Sequence, residues 1–268
     1  MPSFVLNIII TRYPTMIISN KIPMMKKIMF TQAVAVNDPF FTDLHIGSLP
    51  EHPDVQIMLA HFNQDCYRDN LFVEHGISFP DKLQNAVNKR RAEYLAARYC
   101  TQQALNNLGY PDFQVMNAPD RSPIWPDDIC GSISHTTNCT IAFAAPNANF
   151  KIIGADIEQE INADTIKNVS ASILKDAEIT LLKKCTLSFE QAFTLAFSIK
   201  ESLFKALYPH VKRFFDFHAA EVTSIDCNNH TVNIRLLQTL SEQYRADSQF
   251  HGKFALMPHQ QVLTYIVE

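Results

Sequence analysis

Cys139-Thr140-Ile141-Ala142-Phe143-Ala144-Ala145-Pro146-Asn147-Ala148-Asn149-Phe150-Lys151-Ile152-Ile153-Gly154-Ala155-Asp156-Ile157-Glu158 is the stretch on which the fold class turns. Its two apolar runs, Cys139–Ala145 and Ile152–Ile157, read as strands. Pro146-Asn147-Ala148-Asn149 between them are turn residues of the right kind, so the spacing predicts a hairpin. Upstream, Leu83, Val87, Leu95, Arg98 and Leu105 recur near helical spacing, and Gly109 and Pro111 mark the stop, which predicts a helix over 83–108. The proline-bounded stretch 117–128 reads as a loop, and 31–81 as strands and loops. Downstream, 163–184 reads as one or two helices. Ser188 and Gln191 form a candidate capping box that opens a helix through Leu207, with Phe193, Phe197 and Phe204 on its apolar face. Thr231–Leu237, Lys253–Met257 and Val262–Val267 read as strands. Helices and strands mix without the regular alternation or glycine fingerprint of a doubly wound sheet, so the fold class expected is α+β.

The chain has 268 residues, 47% hydrophobic and 19% charged, as expected for a globular protein with a real core. The net charge of -4 gives no reason to expect nucleic-acid binding. An anionic ligand must therefore be held by a local basic cluster. The six cysteines lie far apart, without C-x-x-C or zinc-site spacing, and read as thiols of a reducing compartment, with the cytoplasm as the default location. Phe4 to Ile10 is apolar but ends at Arg12, far short of a membrane span, and no positive charge precedes it as a signal peptide requires. Peripheral membrane contact through this segment is the lesser reading. Met24, Met25 and Met29 offer alternative starts, which would leave residues 1–28 dispensable.

Asp156 and Glu158 stand at i and i+2 on a predicted strand, so both point to one face. Two adjacent carboxylates repel, and Mg²⁺, which takes one or two carboxylates plus phosphate oxygens and water, is a natural remedy. The alternative, a strand running into a solvated acidic loop, is the one spacing alone favours. Glu201 and Lys205 stand four apart on the second helix. They read evenly as an exposed ion pair or as a polar interruption in an apolar helix. Gly131-Ser132-Ile133-Ser134-His135 is expected as a polar knot at a strand entrance, able to donate to phosphate oxygens, or as local turn hydrogen bonding. Lys89, Arg90 and Arg91, with Arg98 a heptad beyond Arg91, form the densest basic patch in the chain. Arginine grips phosphate well, but such runs are more often solvated helix faces, and Arg121 in its loop is similar.

Order and wording add what each motif lacks. Lys89-Arg90-Arg91-Ala92-Glu93-Tyr94-Leu95-Ala96-Ala97-Arg98, Arg121-Ser122-Pro123-Ile124-Trp125-Pro126, Gly131–His135, Ile153–Glu158 and Phe197-Ser198-Ile199-Lys200-Glu201-Ser202-Leu203-Phe204-Lys205-Ala206 resemble the successive motifs of the 4'-phosphopantetheinyl transferases, closest to the enterobactin-synthase component D type of siderophore pathways. The resemblance covers roughly residues 80–220. It departs at Ala97, where a glycine is usual, and at Ala155, where a larger aliphatic is usual.

The resemblance implies an α+β fold of two similar halves related by a pseudo-twofold, residues 31–150 and 151–268, with coenzyme A between them and an extension over 1–30. It implies Asp156, Glu158 and Glu201 as Mg²⁺ ligands, Glu201 and Lys205 as catalytic residues, and Ser134 and His135 as coenzyme A contacts. Lys89, Arg90, Arg91 and Arg121 would face the nucleotide phosphates. The implied reaction moves phosphopantetheine from coenzyme A to a serine of an apo peptidyl, aryl or acyl carrier protein, with 3',5'-ADP released, by a working monomer. Two other classes compete: a metal-dependent phosphodiesterase acting on coenzyme A or a nucleotide, and a non-catalytic carrier-binding module.

Overall fold

Side-chain alternation builds the molecule in four layers. The computed structural model describes residues 29–33 and 38–268. The expectations for residues 1–28 lie outside the described residues. Strands β1 (Met29–Ala33), β2 (Phe41–Leu49), β3 (His52–Phe62), β6 (Ile129–His135) and β7 (Cys139–Pro146) form one antiparallel sheet in the order β1-β2-β3-β7-β6. Strands β8 (Ile153–Gln159), β9 (Ala220–Asp226), β10 (Thr231–Leu236), β11 (Gln249–Met257) and β12 (Gln261–Val267) form a second, in the order β8-β12-β11-β10-β9. The short strands β4 (Met116–Asn117) and β5 (Pro123–Ile124) pair with each other. With helices α1 (Asn70–Glu74), α2 (Asn88–Asn107), α3 (Ala163–Ile173), α4 (Asp176–Leu182) and α5 (Phe189–Val211), the fold is α+β, as expected.

Odd residues of β3 and β7 face one way and even residues the other, the period of a pleated strand. Ile57, Leu59, Ile141 and Phe143 pack against Ile153, Ala155, Ile157, Leu263 and Tyr265 of the second sheet. Met58, Ala60, Ala142 and Ala144 turn outward to Leu95, Ala96 and Leu105 of α2. On the far side, Ile199, Leu203 and Leu207 of α5 pack on Val262 and Ile266. The layers thus run α2, first sheet, second sheet, α5.

Gly154 sets how closely α5 lies on β8. A methyl group there would sit 1.9 Å from the carbonyl oxygen of Ser202 and 2.7 Å from the nitrogen of Ala206, so only glycine permits this approach. Ser202 and Ser198 bury their hydroxyls on Thr264 Oγ1 at 2.7 and 2.9 Å, which satisfies polar groups that the contact removes from water. On the opposite side of α5, Lys200 is buried and ion-paired with Glu178 of α4 at 2.9 Å. Its ammonium also donates to the carbonyls of Ile173 and Phe217.

Several sequence expectations need correction. β7 and β8 are not a hairpin: β7 pairs with β3 and β6, β8 pairs with β12, and 147–152 carries the chain from one sheet to the other. Asn147 and Asn149 turn the chain, but both edges of β7 are already occupied. Gly131–His135 is the body of β6 and not a strand entrance. Its hydroxyls hid the strand from sequence, yet they bond across to β8. Helix α2 starts at Asn88, five residues after the first expected residue, because Asp81–Leu83 forms a separate single turn. The 117–128 loop holds one strand of the β4–β5 pair and an end of the other. Helix α5 does open on a Ser188–Gln191 capping box, but it continues past Leu207 through Pro209 to Val211, and Lys212 closes it in the left-handed conformation. The 163–184 region resolves into α3 and α4, and β9 was not foreseen.

Candidate active site

The polar groups of the site gather where the edge strands of the two sheets meet. Ser132 on β6 accepts from the backbone N–H of Ala155 at 2.9 Å and donates to the carbonyl of the same residue, so one hydroxyl ties β6 to β8. Two residues on, Ser134 donates to Asp156 Oδ1 at 2.8 Å. Lys205, brought over β8 by the close packing at Gly154, places Nζ 2.6 Å from Asp156 Oδ1 and 3.0 Å from Ser134 Oγ. Strand alternation turns Gly154, Asp156 and Glu158 to the α5 side, and helical periodicity brings Glu201 and Lys205 to the same place.

The electrostatics of the group are those of crowded acids. Burial pushes the Glu158 carboxyl up to about 8, helped by the negative charge of Asp156 and relieved in part by Lys205. Burial first, and then the charge of Asp156, also raise Glu201. Asp156 Oδ2 is buried without a hydrogen-bond partner. An orphaned carboxylate oxygen beside two acids held above their ordinary range is what a bound cation would relieve. Among the described residues no group of three or more His, Cys, Asp or Glu side chains is placed to hold a metal ion.

Beside these groups opens a cleft of about 570 Å³, lined from α2, the 117–125 loop, β6, α5 and residues 212–214. Arg90, Arg121, His135 and Lys205 line it. Arg90 donates to His135 Nε2 at 3.2 Å and lies 3.5 Å from Glu93. Burial first, with Arg90 and Lys205 close by, lowers the pKa of His135 against the opposing pull of Glu93, so the ring accepts from Arg90 as a neutral imidazole. Arg121 holds a positive φ of 72° in its turn.

Two members of the basic patch are not in the cleft lining. Arg91 is spent on Asp69, at 2.9 Å, and on the carbonyls of Leu83 and Gln84, where it fixes the approach to α2. Lys89 is exposed. Conversely, Arg98 lines the cleft, though residue reading placed it only in the patch. Its guanidinium lies 4.6 Å over the Tyr94 ring, donates to Asn117 Oδ1 and keeps Nε buried without a partner. The signal was an arginine inside the apolar stretch of a helix. Tyr208, Lys212 and Arg213 also line it, with no pattern in the sequence to mark them.

Comparison with known proteins adds the decisive observation. Residues 79–145 match the family model of the 4'-phosphopantetheinyl transferase N-terminal domain, and residues 152–265 match that of the 4'-phosphopantetheinyl transferase superfamily. The chain is 32% identical over 181 residues to enterobactin synthase component D of Salmonella typhimurium, covering 67% of this chain and 73% of that protein. The chain belongs to the 4'-phosphopantetheinyl transferase family. It is also 32% identical over 161 residues to the 4'-phosphopantetheinyl transferase Npt of Nocardia iowensis, which covers 58% of this chain and 71% of the relative. For the transferase Svp of Streptomyces mobaraensis the identity is 32% over 162 residues, 59% of this chain and 65% of the relative. The two matched family segments meet between β7 and β8, at the crossing from one sheet to the other, and the cleft of this family member is lined from both.

Proposed function

We propose that this chain transfers the 4'-phosphopantetheine of coenzyme A to a serine of an apo carrier protein, with release of 3',5'-ADP. The observation that carries the reading is the joining of Asp156, Ser134 and Lys205 at the end of a basic cleft, with Glu158 and Glu201 crowded against Asp156. Residues 31–150 and 151–268 are read as two halves related by a pseudo-twofold. The support is that each contributes a five-stranded antiparallel sheet covered by one long helix. Coenzyme A would lie in the cleft, its phosphates on Arg90, Arg121, His135 and Lys205, while Lys89 and Arg91 lie outside it.

Asp156, Glu158 and Glu201 would hold Mg²⁺, which when bound neutralises charge on the phosphoryl oxygens. The chain's own groups do the rest. Glu201, on α5 beside Asp156, would take the proton of the attacking carrier serine. Lys205 presents an ammonium to the leaving phosphate and carries a proton it can donate there. Ser134 fixes the ammonium at 3.0 Å. The walls of the cleft, with Phe204 and Trp125, keep water from the pyrophosphate.

A peptidyl or aryl carrier of siderophore or non-ribosomal peptide synthesis is the first choice of partner, on the name of the Salmonella relative. The enzyme is read as a cytoplasmic monomer. Among the described residues no helix is long and apolar enough to cross a membrane.

The test is to incubate the protein with coenzyme A, Mg²⁺ and an apo peptidyl or aryl carrier and to weigh the carrier by mass spectrometry. A gain of one phosphopantetheinyl group that disappears on chelation supports the reading. Hydrolysed coenzyme A with an unmodified carrier would instead favour the phosphodiesterase. Bound coenzyme A with no reaction on any carrier would favour the binding module.

A further inference from the structure

Cys185 lies in the loop between α4 and α5, and Cys227 opens the turn between β9 and β10. Their sulfurs are 3.1 Å apart across 42 residues of sequence, inside the contact distance of unbonded sulfurs. Both are partly exposed, so a small oxidant reaches them. The other four cysteines are placed differently. Cys100 and Cys139 are buried, Cys66 accepts from Asn63, and Cys130 donates to the carbonyls of Ala145 and Phe150.

The backbone on each side is held firm. Asp226 Oδ1 accepts the N–H groups of Asn228 and Asn229 and fixes the turn beside Cys227. Three residues after Cys185, Ser188 caps α5 by accepting from Gln191. The two sulfurs are therefore brought within reach of each other by segments whose backbone is held by these hydrogen bonds.

We propose that Cys185 and Cys227 form a reversible disulfide that clamps the start of α5 to the β9–β10 turn. One thiolate attacks a low-molecular-weight disulfide such as oxidised glutathione and expels one glutathione thiolate. The second cysteine, once deprotonated, attacks the mixed disulfide and expels the other glutathione, so the protein loses two hydrogens and one oxidised glutathione becomes two reduced ones. The resting state in a reducing compartment is the dithiol, and the bond forms under oxidative load. Burial raises the Cys185 thiol, so its closure quickens as pH rises. The loop it closes contains all of α5, including Glu201 and Lys205.

The experiment treats the full chain with oxidised glutathione, alkylates the remaining thiols, and maps the linked peptides by mass spectrometry beside a thermal melt. A Cys185–Cys227 link is expected, with Tm raised on the order of 5–10 °C, both reversed by dithiothreitol. Cys227→Ser and, separately, Cys185→Ala abolish the shift, whereas Cys66→Ser keeps it. Alkylation of both cysteines after oxidation, stable glutathione adducts without the link, or a link between other cysteines overturns the proposal. None of these readouts depends on transferase activity.

Discussion

Lys205 Nζ stands 2.6 Å from Asp156 Oδ1, a contact between residues 49 apart in sequence. Asp156 is almost fully buried, and Lys205 and Ser134 supply two cations-or-donors to the same oxygen. The lysine thus holds down the charge of the acid and, from the same position, faces the cleft.

Removing that ammonium should act on the reaction and also on stability, because buried Asp156 loses its cationic partner. Lys205→Met is expected to lower kcat/KM for carrier modification by about 10²–10³-fold, the usual effect of losing one donor to developing charge. Carrier mass spectrometry reads the rate, and an unchanged circular dichroism spectrum excludes collapse.

Glu201→Gln keeps the shape of the side chain and loses its basicity. Transfer is expected to fall by about 10²–10⁴-fold, while coenzyme A still binds through the basic lining. Calorimetric titration with coenzyme A separates the two effects; lost binding would show that Glu201 positions the nucleotide instead.

At Gly154 the expected effect is on stability. Gly154→Ala drives a methyl group into the Ser202 carbonyl, which is backbone and has no rotamer to yield. A loss of about 2–4 kcal/mol is expected in urea unfolding, because α5 must lift away from β8. Activity should fall with it, since Glu201 and Lys205 ride on α5.

Lys200 and Glu178 form a buried pair that several backbone groups also use. Lys200→Met leaves Glu178 charged and enclosed and is expected to cost about 3–5 kcal/mol in denaturant unfolding. A double-mutant cycle with Glu178→Gln should give a coupling above about 1 kcal/mol. Additive effects would mean that the two residues contribute through separate backbone contacts.

His61 and His135 predict a loss of stability in mild acid. Burial is the main cause that lowers both below the ordinary value of 6.5. Below that value the unfolded chain binds protons the folded chain resists, so stability is full above pH 6.5 and declines as pH falls through the lowered folded values. His61→Phe, which also removes the buried and unpartnered Nε2, should flatten the slope of unfolding free energy between pH 6.5 and the folded value. An unchanged slope would rule out His61 as its source.

Local order in the chain was enough for the mixed fold, the Ser188 capping box, the strands near the C-terminus and the motifs of the candidate site. Each of these depends on neighbours a few residues away, or on residue types that the reaction requires. The Ile153–Glu158 alternation also placed Asp156 and Glu158 on one face, because the period of a strand is local. Tertiary structure alone decided the rest. It sent β7 and β8 into different sheets, since pairing partners lie up to about a hundred residues away and turn residues do not name them. It separated Arg90, which enters the cleft, from Arg91, which turns to Asp69, although the two are adjacent. It made a strand of Gly131–His135, because the hydroxyls that look like loop chemistry are satisfied across the sheet edge by Ala155 and Asp156. Whether a carboxylate is solvated or buried depends on what covers it, and for Asp156 the cover is α5, which reaches it only because residue 154 has no side chain.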